Sequence, residues 1–274
     1  MLDFNVNFEK CIQCGLCVAD CPTTIIRFDS EHPSIDPSRE ARCLKCLHCL
    51  AICPSGAISI LDVEPSDCKT IKNSFPSDEQ LETLMRGRRS VRRFKQENVD
   101  TALINRLIEL SANAPTAKNA MELQFTVVDD MDVMKKISDH TYKHITEAIT
   151  EQRLPKGLGH FKAFAKAHAQ GNDIIFRNAP HMLIVSAPTA GASAHIDVAI
   201  ALTHFDLAAT NAGLGSLWCG FALQALTGLV PDYKEMLGIP QEHDAAYVMM
   251  FGAPAVKYQR TVDRKFQTVH RVKL

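Results

Sequence analysis

The run Cys11-x2-Cys14-x2-Cys17-x3-Cys21-Pro22 returns, element for element, as Cys43-x2-Cys46-x2-Cys49-x3-Cys53-Pro54, at an offset of 32 residues. Flanking apolar positions return with it, Ile26 matching Ile58 and Phe28 matching Ile60. The spacing has a chemical reason: a cubane cluster needs four thiolates converging on one small object. Three come from a tight loop at three-residue intervals, and the Cys before Pro reaches across to the other cluster. On that pattern Cys11, Cys14, Cys17 and Cys53 hold one [4Fe-4S] cluster, and Cys43, Cys46, Cys49 and Cys21 hold a second. Gly15 and other small residues let backbone N–H groups approach the sulfurs. Zinc sites use paired C-x2-C units separated by a longer gap, not three cysteines at equal intervals followed by Cys-Pro.

Nine of the 10 cysteines lie between Cys11 and Cys68, with Cys219 the exception, so two regions of different chemistry are expected. Met1-Leu2-Asp3-Phe4-Asn5 has neither the basic nor the apolar part of a secretory leader. The expected compartment is the cytoplasm, where thiols stay reduced and clustered cysteines favour metal over disulfides. Residues 1–62 resemble the bacterial two-cluster ferredoxins, matching the motif in both halves. Residues 1–68 carry 5 Lys+Arg against 10 Asp+Glu, a net −5, and the rest of the chain is mildly basic. That asymmetry fits docking and a merely solvated acidic surface equally well. Residues 63–79, with two prolines and no periodicity, read as a linker. Cys68, inside it, has no partner at ligand spacing and reads as a bystander.

Residues 80–274 form a second domain with an alternating, helix-dominated pattern that predicts an α+β fold. Helices are expected at 79–86, at 101–113 behind an Asp100 N-cap, at 131–152 and at 196–211. Strands are expected at 123–128, 181–186 and 246–251. In the first long helix Leu103, Ile104, Leu107, Ile108 and Leu110 are expected to share a face. In the second, Val133, Ile137, Ile145 and Ile149 are among the apolar positions. Residues 207–231 contain no Asp, Glu, Lys or Arg, but four glycines and several polar residues argue for a buried helix, a turn and further core rather than a membrane span.

Between Arg86 and Lys95, six of ten residues are basic. Three readings are open: a solvated face, a nucleic-acid patch, or a phosphate pocket built from Arg forks and a Ser hydroxyl. A net charge of −1 argues against nucleic acid. Arg88-Arg89-Ser90-Val91-Arg92 resembles the Arg-x-Ser-x-Arg/Lys motif of the nitroreductase family. Three more segments follow in that family's order: Ala114-Pro115-Thr116-Ala117-Lys118-Asn119, the run Gly213-Leu214-Gly215 to Gly220, and Gly252-Ala253-Pro254 with Arg260. Met121-Glu122-Leu123 departs from the Gln-Pro-Trp-like run of many members.

The resemblance implies an intertwined homodimer binding FMN. Arg88, Arg89, Ser90 and Arg92 would hold its phosphate, ribityl chain or N1–C2=O edge. Asn119, from the partner subunit, would bond the ring edge, the backbone at Cys219 and Gly220 would approach N5, and Arg260 with Lys257 would complete the phosphate site. It implies an FMN oxidoreductase fed through its own clusters. Reduced ferredoxin or NAD(P)H would be the donor, and a nitroaromatic, quinone, enone or flavin the acceptor. No nucleic-acid or membrane partner is expected. The rival reading is a non-enzymatic electron carrier or redox sensor. No catalytic acid or base is singled out. Tyr142, His144 and His168 fall where substrate-covering elements could lie, though core or surface roles are commoner for such residues, and Cys219 reads best as a small buried thiol.

Overall fold

A computed structural model of the chain describes residues 2–28, 31–189, 193–264 and 268–273. The chain forms two compact units, one of residues 1–76 with 118–120, the other of 77–117 with 121–274.

The first unit carries β1 (Asn5–Val6), the one-turn helix α1 (Leu16–Ala19), β2 (Ile26–Arg27), β3 (Ser34–Ile35), a second one-turn helix α2 (His48–Ala51) and β4 (Ile58–Ser59). β1 pairs antiparallel with β4, and β2 with β3. Leu2, Ile25, Ile26, Leu50, Ile58 and Ile60 form its core with Cys17 and Cys49. The repeat seen in the cysteines extends to the backbone. Helices α1 and α2 start 32 residues apart, each after a left-handed residue, Gly15 (φ 73) and Leu47 (φ 59). Gln13 (φ 57) pairs in the same way with Lys45 (φ 52), and Thr24 (φ 53) with Gly56 (φ 59). A side chain in this region costs about 1–2 kcal/mol. Leu47 and Thr24 bear that cost where the other half has glycine, so the loop shape is held by its surroundings and not by local preference.

The second unit opens with α3 (Asp78–Gly87), started by a reciprocal capping box between Ser77 and Gln80. Then come α4 (Thr101–Ser111), β5 (Gln124–Val128), α5 (Met131–Thr150), α6 (Phe161–His168), β6 (His181–Ala187), α7 (Ala194–Asn211), β7 (Gly215–Trp218), α8 (Gly220–Leu229), α9 (Tyr233–Met236) and β8 (Ala245–Gly252). The strands form one antiparallel sheet in the order β5-β6-β8-β7. Both faces are buried. Met182, Ile184, Val248 and Met250 pack on one side with α5, α6 and α8, while Leu183, Val185, Met249 and Phe251 pack on the other with α4 and α7. Helices on both faces explain why β6 reads as a continuous apolar run rather than an alternating one.

The buried stripes differ in detail from the expected ones. In α4, Ile104, Leu107 and Ser111 are buried and Leu110 is exposed. In α5, the stripe runs through Met134, Ile137, Thr141, Tyr142, Ile145 and Ala148, leaving Val133 outside. The charge-free stretch at 207–231 holds the end of α7, β7 and α8. Among the described residues no helix is long and apolar enough to cross a membrane.

Candidate functional site

In the first unit, Cys11, Cys14, Cys17 and Cys53 line one cavity, with Gly15, Ser55 and Ala57 in its wall. Cys17 lies near Cys14 and Cys53, and Cys49 near Cys43 and Cys46. The sulfur environments repeat with the sequence. Cys21 Sγ lies 3.7 Å from Thr23 Oγ1, and Cys53 Sγ 3.7 Å from Ser55 Oγ. Ala57 N–H donates to Cys53 Sγ (3.2 Å) and Lys45 N–H to Cys43 Sγ (3.4 Å). Burial alone would raise the Cys21 and Cys53 thiols. Backbone N–H groups and these hydroxyls outweigh it and hold both below the ordinary value. Cys17 and Cys49 are the reverse: burial pushes Cys17 up, and Cys49 up to about 11. Four thiols around one cavity, in loops that aim N–H groups at sulfur, fit a cubane cluster with its second-shell donors. Cys68 is exposed, its Sγ 3.7 Å from the Glu64 carbonyl.

Asn119 falls in the first unit, where its Nδ2 donates to the carbonyls of Leu44 (3.0 Å) and Lys45 (3.2 Å).

In the second unit, Ser90 forms a parallel bridge to Ser216, and Val91 N–H donates to the Ser216 carbonyl (2.8 Å). The approach is so close that a Cβ on Gly215 would lie 2.6 Å from Val91 Cγ2, which is why this strand must start with glycine. This lays the basic segment against β7. Arg88 then reaches Asp206 of α7 (3.3 Å), a carboxylate that also accepts from Trp218 Nε1 (3.0 Å) and, at very short range, from Ser216 Oγ. Arg86, Arg88 and Arg89 line an open cavity with Arg264 and Asp263, and Arg86 is paired with Asp263. Arg89 also donates to the Arg86 and Arg88 carbonyls (both 2.8 Å).

A second open cavity, of about 240 Å³, is lined by Arg92, Ile174, Ile175, Arg177, Trp218, Cys219, Gly220 and Phe221, among others. Gly220 opens α8, whose first-turn N–H groups have no acceptor within the helix. Cys219 is buried. Its N–H goes to the Val248 carbonyl (2.9 Å) and its Sγ donates to the Ile175 carbonyl (3.1 Å). Burial pushes its thiol up, so it stays protonated and inert. Lys257 and Arg260 lie on the exposed segment after β8 and line neither cavity. That segment is tied back near the site by Ala255 N–H to the Arg93 carbonyl (2.9 Å) and by Tyr258 Oη, 3.5 Å from the Ser90 carbonyl.

Three residues unmarked in the sequence reading shape this site. Asp206 is the first; a lone acid on the buried face of an apolar helix is its only sequence signal. Arg177 is the second, held left-handed (φ 60) beside Asn178 (φ 47). The third is Asp173, buried, which shapes that loop by accepting from Tyr142 Oη, Phe176 N–H and Asn178 N–H, each at 2.9 Å. Tyr142 is thereby a core residue. Burial and Asp173 push its phenol up, and His168 stacks on it at 3.6 Å. Replacing Asp206 with alanine strips a buried acceptor from Ser216, Trp218 and Arg88. The expected cost is about 3 kcal/mol in urea unfolding, with Asp206→Asn well below it. A loss under about 1 kcal/mol for the alanine chain would refute the assignment.

The cationic cavity has the donor set of a phosphate site, and the second has an aromatic wall, two guanidinium groups and a helix N-terminus, which suit a flat, polar-edged ring.

Comparison with known proteins identifies the family and the fold. Residues 85–253 match the model of the nitroreductase family, and residues 10–72 that of the 4Fe-4S dicluster domain. No curated protein sequence matches the chain significantly. Among solved structures, a nitroreductase with bound FMN from Bacteroides fragilis superposes with a TM-score of 0.59 at 24% identity, covering 72% of this chain and 100% of its own. One with bound FMN from Desulfitobacterium hafniense gives 0.56 at 22% identity, over 71% and 99%. An FMN-dependent nitroreductase from Clostridium difficile gives 0.54 at 22%, over 72% and 100%. These likenesses establish the fold, and the family match spans more than half of the chain. The chain belongs to the nitroreductase family and carries a 4Fe-4S dicluster domain at its N-terminal side.

Proposed function

We propose that this protein is an FMN-dependent oxidoreductase that receives electrons through two [4Fe-4S] clusters and reduces a small organic acceptor. The observation carrying the reading is one cavity that sets Arg92 and Arg177 against Trp218, Cys219 and Gly220, in a chain whose basic segment supplies Arg88 and Arg89 to a second cavity. Bound FMN would supply the exchange between single electrons and hydride delivered from N5 to a stacked acceptor.

The chain's own residues hold and orient. Arg88, fixed by Asp206, and Arg89 bind the phosphate, with Ser90 beside them and Lys257 and Arg260 on the neighbouring segment. Arg92 and Arg177 neutralise negative charge at the ring's polar edge, which favours the reduced flavin. Gly220 keeps the approach to the ring free of a side chain. Cys219 contributes shape and no proton, since its thiol is committed to Ile175. Nitroaromatics, quinones, enones and flavins are the acceptor classes, and reduced ferredoxin or NAD(P)H the donors. Asn119 remains a proposed flavin contact from the partner subunit.

A homodimer with FMN at the interface is proposed on the resemblance to the nitroreductase family; the exposed Leu81, Met85, Leu110, Ile196 and Phe221 on α3, α4, α7 and α8 are available to it. The cytoplasm is proposed because thiolate-ligated clusters need reduced cysteines.

The test is anaerobic purification with iron, sulfide and flavin analysis, then turnover. About eight iron and one FMN per chain, with acceptor reduction at the expense of reduced ferredoxin or NAD(P)H, are expected. Full iron without flavin after reconstitution would overturn the reading. A reducible flavin with no acceptor turnover would move it to an electron carrier.

A further inference from the structure

Away from both cavities, helix α5 carries two histidines one turn apart, His140 and His144, and both turn toward Asp232, the residue before α9. His140 Nε2 lies 3.1 Å from Asp232 Oδ1, and His144 Nε2 lies 4.0 Å from the same oxygen. One ligand atom from each of the three residues falls within 4.8 Å of the others. The imidazoles meet edge to face at 74°, with centroids 4.6 Å apart, so both rings can aim nitrogens at one point. The remaining nitrogen of His144, Nδ1, lies 3.4 Å from Glu147 Oε2, one turn further along α5.

We infer that His140, His144 and Asp232 form a site for a divalent d-block cation, zinc in the first instance. Four observations converge on this. Histidines at i and i+4 put two imidazoles on one helix face. A carboxylate from a different element supplies a third ligand of another type, a combination suited to zinc. The ligand atoms lie within 4.8 Å of one another, wider than the roughly 3.3 Å edge of a zinc tetrahedron, and rotation of these partly exposed side chains closes the difference. Glu147, whose Oε2 lies 3.4 Å from His144 Nδ1, is placed to supply the carboxylate–histidine arrangement that would leave Nε2 free to ligate. Three protein ligands leave a position for water. The cation would clip α5 to the turn before α9, a link that no covalent bond makes.

The test uses the full chain with its clusters assembled, handled without oxygen. Zinc chloride is titrated by calorimetry, and iron and sulfide are counted before and after so that displacement at the cysteines is seen. One zinc per chain is expected with iron unchanged. His140→Ala or His144→Ala should each weaken binding at least tenfold, and Glu147→Gln about tenfold through the orientation of His144. Thermal unfolding should shift upward with zinc in the native chain and not in the His140→Ala/His144→Ala chain. These side chains are partly exposed, so the variants are expected to fold; iron content and circular dichroism check that they do. No zinc bound beyond the cysteines, or zinc bound as tightly by the double variant, would overturn the site.

Discussion

A chain in which Cys53 is replaced by alanine should retain about four of about eight iron atoms, and the iron lost should be that of Cys11, Cys14 and Cys17. Cys53 lines the cavity of those three, not the loop of its own repeat. Second replacements make the point without assigning spectra. Adding Cys14→Ala should remove no further iron, because the cluster it serves is already gone. Adding Cys46→Ala should remove the rest. Local ligation would give the opposite pattern: further loss with Cys14→Ala and none with Cys46→Ala. The iron is counted after anaerobic assembly and a chelator wash, so that loosely held metal does not blur the steps. The effect is large because a cubane with three protein ligands and an exposed corner is readily stripped, whereas the intact neighbour keeps all four.

The second large effect is at the basic segment. Arg88→Ala with Arg92→Ala should bind FMN two to four orders of magnitude more weakly. Each charge-assisted hydrogen bond is worth about 1.5–3 kcal/mol, and each arginine serves a different cavity. Iron content should not change, since both residues lie in the second unit. Arg88→Lys should fall between the native chain and the alanine chain: the charge remains, but the planar fork that reaches Asp206 at 3.3 Å and still offers a second edge to phosphate is gone. Equilibrium dialysis of FMN measures all three chains, and unchanged affinity in the alanine chain would dissolve the phosphate assignment.

The parts that were legible from sequence are those whose constraint is local. The cysteine ladder is set by the reach of consecutive side chains around one object, so its spacing survives in plain view. The core strands at 181–187 and 245–252 announce themselves as apolar runs because both faces of the sheet are covered there. Less legible were features that depend on partners distant in the chain. Leu110 and Val133 satisfy helical periodicity as well as the residues that are buried, and the neighbours of α4 and α5 decide between them. The two-residue ladders of the first unit carry no pattern long enough to read. Helix α6 is favoured by its alanines but is only eight residues long and has no side-chain cap to mark its start, and the boundary between β7 and α8 is marked only by glycine. Asp206 and Arg177 were passed over for the same reason: one sits in an apolar helix, the other in a loop, and only the folded chain brings them to Arg88 and to Arg92. Lys257 and Arg260 were picked out by motif, yet the exposed segment on which they lie reaches the site chiefly through backbone contacts with residues 90–95.

Trp218 is the only tryptophan in the chain. Its indole nitrogen is bonded to the same carboxylate that steadies Arg88, and its ring forms part of the cavity wall shared with Arg92 and Arg177. All indole fluorescence of this protein therefore originates at one spot, in the wall of the cavity lined by Arg92 and Arg177. Ligand entry, loss of the Asp206 bond and unfolding of the second unit each alter the surroundings of that single emitter. The molecule thus carries its own optical gauge of the pocket, and occupancy can be followed in real time on the unlabelled chain.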